Sequence, residues 1–508
     1  MFSLLDAFLN RTTMYRLALY ETAGLLAAAV VLSTAGVLPF SPVALAATTI
    51  LLLLSCWFAN AAFARAFGAP SNPESTVVTA LILALILPPL AIPVRPASIG
   101  LALCAGSLAM AAKYLLAIDR KHLFNPAAAA VAVTAAALNF SADWWIGTAA
   151  MLPFVLAGGF LLVRKIRRWT LVLSFAAAAV LTLALADLLA GADPAAGVGR
   201  MLVVSPLFFF ASVMLTEPLT TPPTAAWQAA YGALVGILFA PTTHLGPLYF
   251  TPELALLAGN VFSYAVSPKR KLRLRLRDIR RVADGTYDFV FTRPKGFAFR
   301  PGQYLEWTLA HARPDQRGSR RFFTISSAPT EDELRMGVKF YPGASTYKKK
   351  LAAMEAGDVI VASQLSGDFT LPRNPRRKLA FVAGGIGITP FRSMAKTMAD
   401  RRERRDATLL YACRTEGDIA YRGVFDEAKR VGLKTVYTLT DPAGVPADWN
   451  GRTGRVDAAM IRREVPDFRE RVFYVSGTAR MVADVARALR SIGVPRARIR
   501  TDYFPGFA

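Results

Sequence analysis

The sequence predicts a two-part chain: an α-helical membrane bundle of about ten spans, followed by an antiparallel β-barrel and an open α/β domain. Charge is the first observation. Residues 1–266 hold 12 Lys/Arg and 9 Asp/Glu, whereas the remaining 242 hold 47 and 26. The first part is therefore about 8% charged, against roughly 25% for a soluble globule. The second observation is a series of apolar runs near the 20 or so residues needed to cross a bilayer. The third is a change of pattern late in the chain, from short β-rich runs with frequent turns to apolar runs alternating with helical stretches. Domains are expected at 1–267, 272–373 and 376–508.

The expected spans lie near 15–37, 42–63, 74–94, 97–118, 125–140, 144–163, 169–190, 201–217, 225–241 and 251–267. The fifth is short, which suits a kinked or half-crossing helix lining a cavity or packed on protein. No cleavable signal pattern opens the chain, so the first span is read as its own anchor. Arg11, Arg16, Arg65, Lys113, Arg120, Lys121, Arg164, Lys165, Arg167, Arg168, Lys269, Arg270 and Lys271 fall on alternate segments. The intervening loops carry only Arg95 and Arg200. The positive side is the cytoplasm. This reading gives a multi-pass protein of the inner (cytoplasmic) membrane with its soluble half in the cytoplasm. The net charge of +24 does not call for nucleic acid: the basic run 269–277 follows the last span, alternates as a strand does, and suits anionic lipid headgroups.

Cys56, Cys104 and Cys413 are far apart, so neither a disulfide framework nor a CxxC metal or iron–sulfur site is expected. No metal site is expected. Polar residues in or near the spans are Glu21, Lys113, Asn125, Asp187, Glu217 and Asn260; ionisable groups at membrane depth are functional candidates. Glu21 and Asp187 are read as groups near helix ends, within reach of the interface.

Four strings stand in order here: Thr79–Pro89, Ala112-Lys113 with Phe124–Ala127, Leu215–Thr220, and Thr251–Asn260. Together they resemble the flavin-carrying membrane subunits of the Rnf and sodium-translocating NADH:quinone oxidoreductase complexes (the RnfD/NqrB family), over roughly 15–267. That family has ten spans and carries FMN bonded through phosphate to a Thr in a long loop between the fifth and sixth. Here the loop is only about Asn139–Trp145 and lacks an Asp-Gly-x-x-x-Ala-Thr-like segment, which speaks against covalent flavin. A non-covalent FMN, riboflavin or a quinone remains open. Thr79, Lys113, Asn125, Glu217 and Thr220 are expected to converge on the cavity holding it. Lys113 is equally readable as a snorkelling anchor.

Three motifs carry the chemistry of the second half. In Arg321-Phe322-Phe323-Thr324, the Arg can clamp a pyrophosphate, the aromatic can cover a flavin ring and the hydroxyl can bond its edge. Gly343-Ala-Ser345-Thr346 opens a helix, where backbone amides attract phosphate oxygens. Ala383-Gly384-Gly385-Ile-Gly387-Ile-Thr389-Pro390 lies between an apolar strand and a helix, the setting in which glycines admit a dinucleotide phosphate; Ser476-Gly477-Thr478 ends a later strand. These residues resemble the ferredoxin–NADP⁺ reductase superfamily over about 272–508. The resemblance implies an FAD barrel followed by an NAD(P)H domain. By it Arg321, Phe323 and Thr324 hold FAD, and Ser345 and Thr346 meet its pyrophosphate. Gly384, Gly385, Gly387, Thr389 and Gly477 line the NAD(P)H site. Thr324, Ser476 and Phe504, in the aromatic C-terminus, stand at the hydride-transfer site. Phe323 stands where Tyr is commoner, and Ser476 where many members have Cys. Arg414 is readable as a partner for a 2′-phosphate or as a surface Arg.

The leading expectation is a membrane-bound NAD(P)H-dependent FAD oxidoreductase passing electrons to a flavin, a quinone or a carrier in or beyond the membrane, with lipid as its other partner. A ferric-reductase or NADPH-oxidase-like reading needs His pairs for haems, and the chain has only His122, His244 and His311. Redox-driven ion translocation is the third reading, weakened because the chain lacks cysteines for an intramembrane cluster.

Overall fold

The computed structural model describes Leu5, Phe8, Leu9 and residues 12–503, apart from 69–72, 92, 119–120, 268–270, 312–313 and 316–317. Two compact units meet in the sequence at Arg270 and Lys271.

The N-terminal unit is helical: α1 (Met14–Thr34), α2 (Pro42–Ala66), α3 (Pro73–Ile86), α4 (Pro96–Leu115), a small hairpin β1 (Ala117–Ile118) and β2 (Lys121–His122), α5 (Pro126–Leu138), α6 (Leu152–Ile166), α7 (Trp169–Leu189), α8 (Pro194–Val204), α9 (Ala225–Phe239), a hairpin β3 (His244–Leu245) and β4 (Leu248–Tyr249), and α10 (Pro252–Val266). Four helices, α1, α2, α4 and α7, are long and apolar enough to cross a membrane. A fifth candidate is α8 continued by Leu207–Met214 after a 62° bend. Among the described residues the ten expected spans, one of them read as short, thus correspond to four long helices, one broken pair and shorter apolar pieces such as α3, α5 and α9. The reason is proline. Pro73, Pro96, Pro126, Pro194 and Pro252 all open helices in their first turn, where a missing N–H costs nothing, and Pro206 falls at the bend. A hydropathy window averages across such breaks. Of the short helices α3 is packed on all sides at its end: every residue from Thr79 to Ile86 is buried.

The C-terminal unit has two six-stranded sheets. The first comprises β5 (Leu272–Ala283), β6 (Thr286–Thr292), β7 (Tyr304–Thr308), β8 (Arg320–Thr324), β9 (Glu333–Lys339) and β10 (Val359–Ser366), with α11 (Thr346–Ala352) before β10. Its antiparallel order is β8-β7-β10-β5-β6-β9, and its outer strands approach through one bridge, Ile325 to Met336. From Leu272 onward the basic run is a strand as expected, for the physical reason that its residues alternate: Leu274 and Leu276 are buried while Arg273, Arg275 and Arg277 are exposed.

The second sheet is parallel, in the order β14-β13-β12-β11-β15-β16. Its elements are β11 (Leu379–Gly384), α12 (Thr389–Asp400), β12 (Ala407–Cys413), α13 (Arg422–Ala428), β13 (Leu433–Leu439), β14 (Arg452–Thr453), α14 (Ala458–Glu464), β15 (Val472–Gly477), α15 (Ala479–Ser491) and β16 (Ile499–Tyr503). β11 reads Leu-Ala-Phe-Val-Ala with all five buried, the continuous apolar run of a strand covered on both faces. Strand order reverses between β11 and β15. In open α/β sheets ligands bind beyond the strand C-termini at such a switch point.

Candidate functional site

Residues two apart on a strand share a face, so Arg321 and Phe323 of β8 point the same way. Both meet Tyr347, which is fully buried on α11: the Arg321 guanidinium lies 5.0 Å from the Tyr347 ring centre and the Phe323 ring 6.2 Å. Arg321 donates to the carbonyls of Gly318 (3.1 Å) and Arg320 (2.7 Å) and lies 3.9 Å from the Asp315 carboxylate. Tyr347 was not singled out by the sequence; its position directly after Ser345-Thr346 was the available signal.

Thr324 closes β8 on the other side of the pleat. It is 3% exposed, yet among the described residues its hydroxyl has no hydrogen-bond partner. An unmatched buried polar group costs roughly 1–3 kcal/mol, so this hydroxyl fits a site completed by a ligand. β8 is an edge strand, so a ligand along its open edge can reach Phe323 and Thr324 together. Ser345 and Thr346 form the start of α11. The Ser345 hydroxyl accepts from Lys348 N (3.4 Å). The Thr346 N–H donates to Asp315 Oδ2 (3.1 Å), and the Thr346 hydroxyl meets Asp315 N and His311 Nε2, each at 3.0 Å. An anionic oxygen already occupies this amide, which is the chemistry a phosphate needs. The donor set Arg321, Thr324 and Thr346 therefore fits a flavin dinucleotide.

The glycine-rich turn lies at the switch point. Gly384 ends β11, and Gly385–Ile388 make one 3₁₀ turn leading into α12 with Pro390 in its first turn. Gly385 has φ +52° with open space where a side chain would go, so its amide face is free to be approached. Gly387 is also required by packing. A Cβ there would sit 2.5 Å from the Ser476 carbonyl oxygen and 2.6 Å from Gly477 N. It lets the turn press against the end of β15. Gly384 and Gly477 both face Met481, whose sulfur lies 2.2 and 2.6 Å from where their Cβ atoms would be. Thr389 is buried and bonds the Ile386 carbonyl at 3.3 Å. Ser476 is 1% exposed and pairs with Ala383 of β11. Arg414 is on the surface, 79% exposed, and paired with Asp441 at 3.2 Å. Phe504 lies outside the described residues.

A buried polar seam joins the two sheets; its members are distant in the chain, so no local pattern announces it. Asp288 of β6 is fully buried; it accepts from Tyr421 Oη at 2.5 Å and from Ser326 Oγ at 3.3 Å. Arg392 of α12 donates to the Ser326 carbonyl (3.0 Å) and makes a two-pronged pair with Glu331, 2.8 Å on one prong. Ser393 donates to the Ser327 carbonyl at 2.6 Å. The helix that starts at the glycine turn is thus bonded to the residues just past Thr324. Burial pushes the Asp288 carboxyl above its ordinary value, against the Tyr421 bond and the Arg392 and Arg335 charges. Burial works the same way on Glu331, but the bond and charge of Arg392 outweigh it and leave that carboxyl below its ordinary value.

In the N-terminal unit Glu217 is a hub. It accepts from Asn125 Nδ2 (2.9 Å) and Thr220 Oγ1 (3.3 Å) and meets His122 Nε2 at 3.0 Å. Asn260 Oδ1 accepts from Asn125 N (2.8 Å), and Asn260 Nδ2 donates to Tyr231 Oη (3.1 Å). A cleft beside this network is lined by Lys121, His122, Thr220, Asn260 and Ser263. Lys113 and Thr79 bond elsewhere: both reach the Ser75 carbonyl, at 3.2 and 2.8 Å. Direct hydrogen bonds thus divide the five expected residues into two groupings, while the Lys113 charge still reaches Glu217 and His122; His122 is a member that the sequence did not point to.

Residues 381–487 match the oxidoreductase NAD-binding domain family. Among characterised relatives, the glycine betaine monooxygenase reductase subunit of Chromohalobacter salexigens is 27% identical over 224 residues, covering 43% of this chain and 60% of that protein. The reductase component 1 of terephthalate 1,2-dioxygenase from Comamonas is 27% identical, covering 41% and 59%. A flavohemoprotein of Burkholderia is 30% identical, covering 41% and 51%. The chain spans 60% of the length of the first of these relatives. Among solved structures, an Amycolatopsis cytochrome P450 reductase overlays with 25% identity and a TM-score of 0.42, covering 47% of this chain and 70% of that one. Over its C-terminal half the chain is thus similar to oxidoreductases: an NAD-binding domain family, reductase components and a flavohemoprotein.

Proposed function

We propose that this chain is a membrane-bound NAD(P)H dehydrogenase of the inner membrane, with its C-terminal half in the cytoplasm, delivering electrons to an acceptor in or across the membrane. The observation that carries the reading is the orphaned Thr324 hydroxyl beside Arg321 and Phe323, with α12 bonded to the carbonyls two and three residues beyond it. Arg321 and the Thr346 amide hold the pyrophosphate of FAD, with Asp315 giving way. Phe323 covers the flavin ring and Thr324 bonds its edge. The Gly384–Gly387 turn, Thr389 and Gly477 receive NAD(P)H, and Ser476 and Phe504 border the transfer site. Bound FAD supplies the step from two-electron hydride chemistry to single-electron delivery. The seam of Asp288, Tyr421, Arg392 and Glu331 fixes the nucleotide turn against the flavin face, and positioning of this kind is worth much of a barrier.

In the N-terminal half, the Glu217, His122 and Asn125 network is the proposed acceptor site, for a quinone or a non-covalent flavin. This rests on the RnfD/NqrB-like strings and on the buried polar cluster itself. Redox-driven ion movement and haem-based reduction draw no such specific support. The test is to purify the full chain from washed membranes, release its flavins with acid and count FAD and FMN per chain. FAD alone in equimolar amount favours a quinone or mobile carrier. FAD with FMN or riboflavin favours a flavin relay. Recovery of the chain in the soluble fraction, or without FAD, refutes the proposal.

A further inference from the structure

Glu21 is the least accounted-for group in the N-terminal unit. It lies in the second turn of α1 and is 8% exposed. Sequence reasoning placed it within reach of water; the structure buries it. Both carboxyl oxygens lack a hydrogen-bond partner, and among the described residues no Lys, Arg or His makes an ion pair with it. Its surroundings are shaped for it. Gly158 and Gly159 lie side by side within α6, where Gly is less favourable than Ala. A Cβ on Gly158 would fall 2.8 Å from Glu21 Cγ, and one on Gly159 would fall 2.6 Å from Ser212 Oγ and 4.0 Å from Glu21 Oε1. The helix gives up side chains at the two positions where the carboxyl and the Ser212 hydroxyl come in. Ser212 belongs to a π-helical turn, Phe210–Met214, a feature frequent at functional sites.

The hydrogen-bond directions decide what the carboxyl can hold. Ser212 gives its hydrogen to the Phe208 carbonyl at 2.7 Å. Its oxygen therefore presents lone pairs to the space beside Gly159. Lone pairs repel a carboxylate but can accept the O–H of a carboxylic acid. A hard metal cation takes about six or more oxygen ligands. Here Glu21 offers its two and Ser212 one, while the Phe208 and Ser212 carbonyls already accept from the hydroxyls of Ser212 and Thr216. An ionised carboxylate left unpaired in such a place costs several kcal/mol.

We propose that Glu21 is a proton-binding site of the N-terminal unit, holding its proton in the interior of the bundle beside the Gly158–Gly159 pair and the Ser212 hydroxyl. The assignment needs neither the NAD(P)H chemistry nor the acceptor reading.

The probe is dicyclohexylcarbodiimide, which is apolar and reacts with the neutral acid. The carboxyl oxygen bonds to the carbodiimide carbon, the carboxyl proton moves to nitrogen, and acyl migration leaves a stable N-acylurea with no group lost. Full-length protein in vesicles is treated, digested and read by mass spectrometry, with a charged, water-soluble carbodiimide as the parallel arm. The expected result is a Glu21 peptide heavier by one reagent with the apolar probe and unchanged with the water-soluble one. An unmodified Glu21 peptide in the apolar arm, with a reference membrane carboxyl labelled in the same vesicles, overturns the proposal. So does efficient labelling by the water-soluble reagent. The wild-type chain decides both arms, so the result does not depend on a variant folding. E21Q adds an independent readout: the infrared carbonyl band of a protonated carboxylic acid should shrink relative to wild type, and an unchanged band contradicts the assignment.

Discussion

Thr324→Val separates a ligand-completed hydroxyl from one that merely packs. The wild-type side chain is 3% exposed and its oxygen is unbonded within the protein. Removing an unmatched buried polar group relieves a cost of roughly 1–3 kcal/mol, partly offset by imperfect packing of Val. The flavin-free protein should therefore be as stable as wild type or up to about 1 kcal/mol more stable. For a unit of roughly 150–250 residues that is about 2–4 °C in Tm. With FAD bound the sign reverses, because the variant loses a hydrogen bond worth about 0.5–1.5 kcal/mol. FAD affinity should fall roughly two- to tenfold. The assay is calorimetry on flavin-stripped and reloaded protein, with Kd from quenching of flavin fluorescence on titration. Equal destabilisation of both forms would show that the hydroxyl has a partner in the protein, and would remove Thr324 from the flavin site.

Four other outcomes follow from the same geometry. Arg321→Ala removes a charge-assisted partner of the pyrophosphate, worth about 1.5–3 kcal/mol, so FAD affinity should fall roughly ten- to a hundredfold; undiminished FAD after dilution and gel filtration refutes the clamp. Gly385→Val puts a β-branched residue at φ +52° and a side chain on the phosphate face, so FAD content should persist, dithionite should still bleach the flavin, and NAD(P)H should not. Glu331 has a folded-state carboxyl below its ordinary value, so its stabilising contribution is present above the unfolded value of about 4.3 and is lost as pH falls through the lower folded value; Tm of Glu331→Gln should decline less steeply than wild type across that acid window. Lys113→Met should leave NAD(P)H–ferricyanide activity intact and slow reduction of a membrane quinone. Wild-type rates for both would make Lys113 a structural anchor, the role its bonds to Ser75 alone would give it.

The parts of the fold legible in the sequence are those governed by local pattern. Leu274 and Leu276 alternating with arginines fixed β5, and the Leu379–Ala383 run followed by glycines announced a buried strand, a turn and a helix. The N-terminal half was legible as apolar helices but not in their geometry, since hydropathy counts residues and does not see Pro206 at a bend or α3 ending at Ile86. The candidate site divides in the same way. Arg321, Phe323 and the glycine turn lie in short motifs, whereas Tyr421 with Asp288, Arg392 with Ser326, and His122 with Glu217 are pairs made only by tertiary folding. Gly387 shows the remaining gap: its type was readable, but its reason, contact with the end of β15, was not. Glu21 shows it more sharply, because nothing in its neighbourhood in sequence reveals Gly158, Gly159 and Ser212.

The central claim is that one chain takes electrons from NAD(P)H into a flavin and passes them on to an acceptor in the membrane. Anaerobic stopped-flow on the full-length protein in liposomes tests it most directly, with flavin absorbance followed after NAD(P)H is added, first without and then with quinone in the bilayer. The flavin should bleach in the first experiment, and in the second oxidised flavin should return in step with quinol formation. A preparation whose flavin is not bleached by NAD(P)H, or is bleached but is never reoxidised by any bilayer quinone or impermeant acceptor, contradicts it.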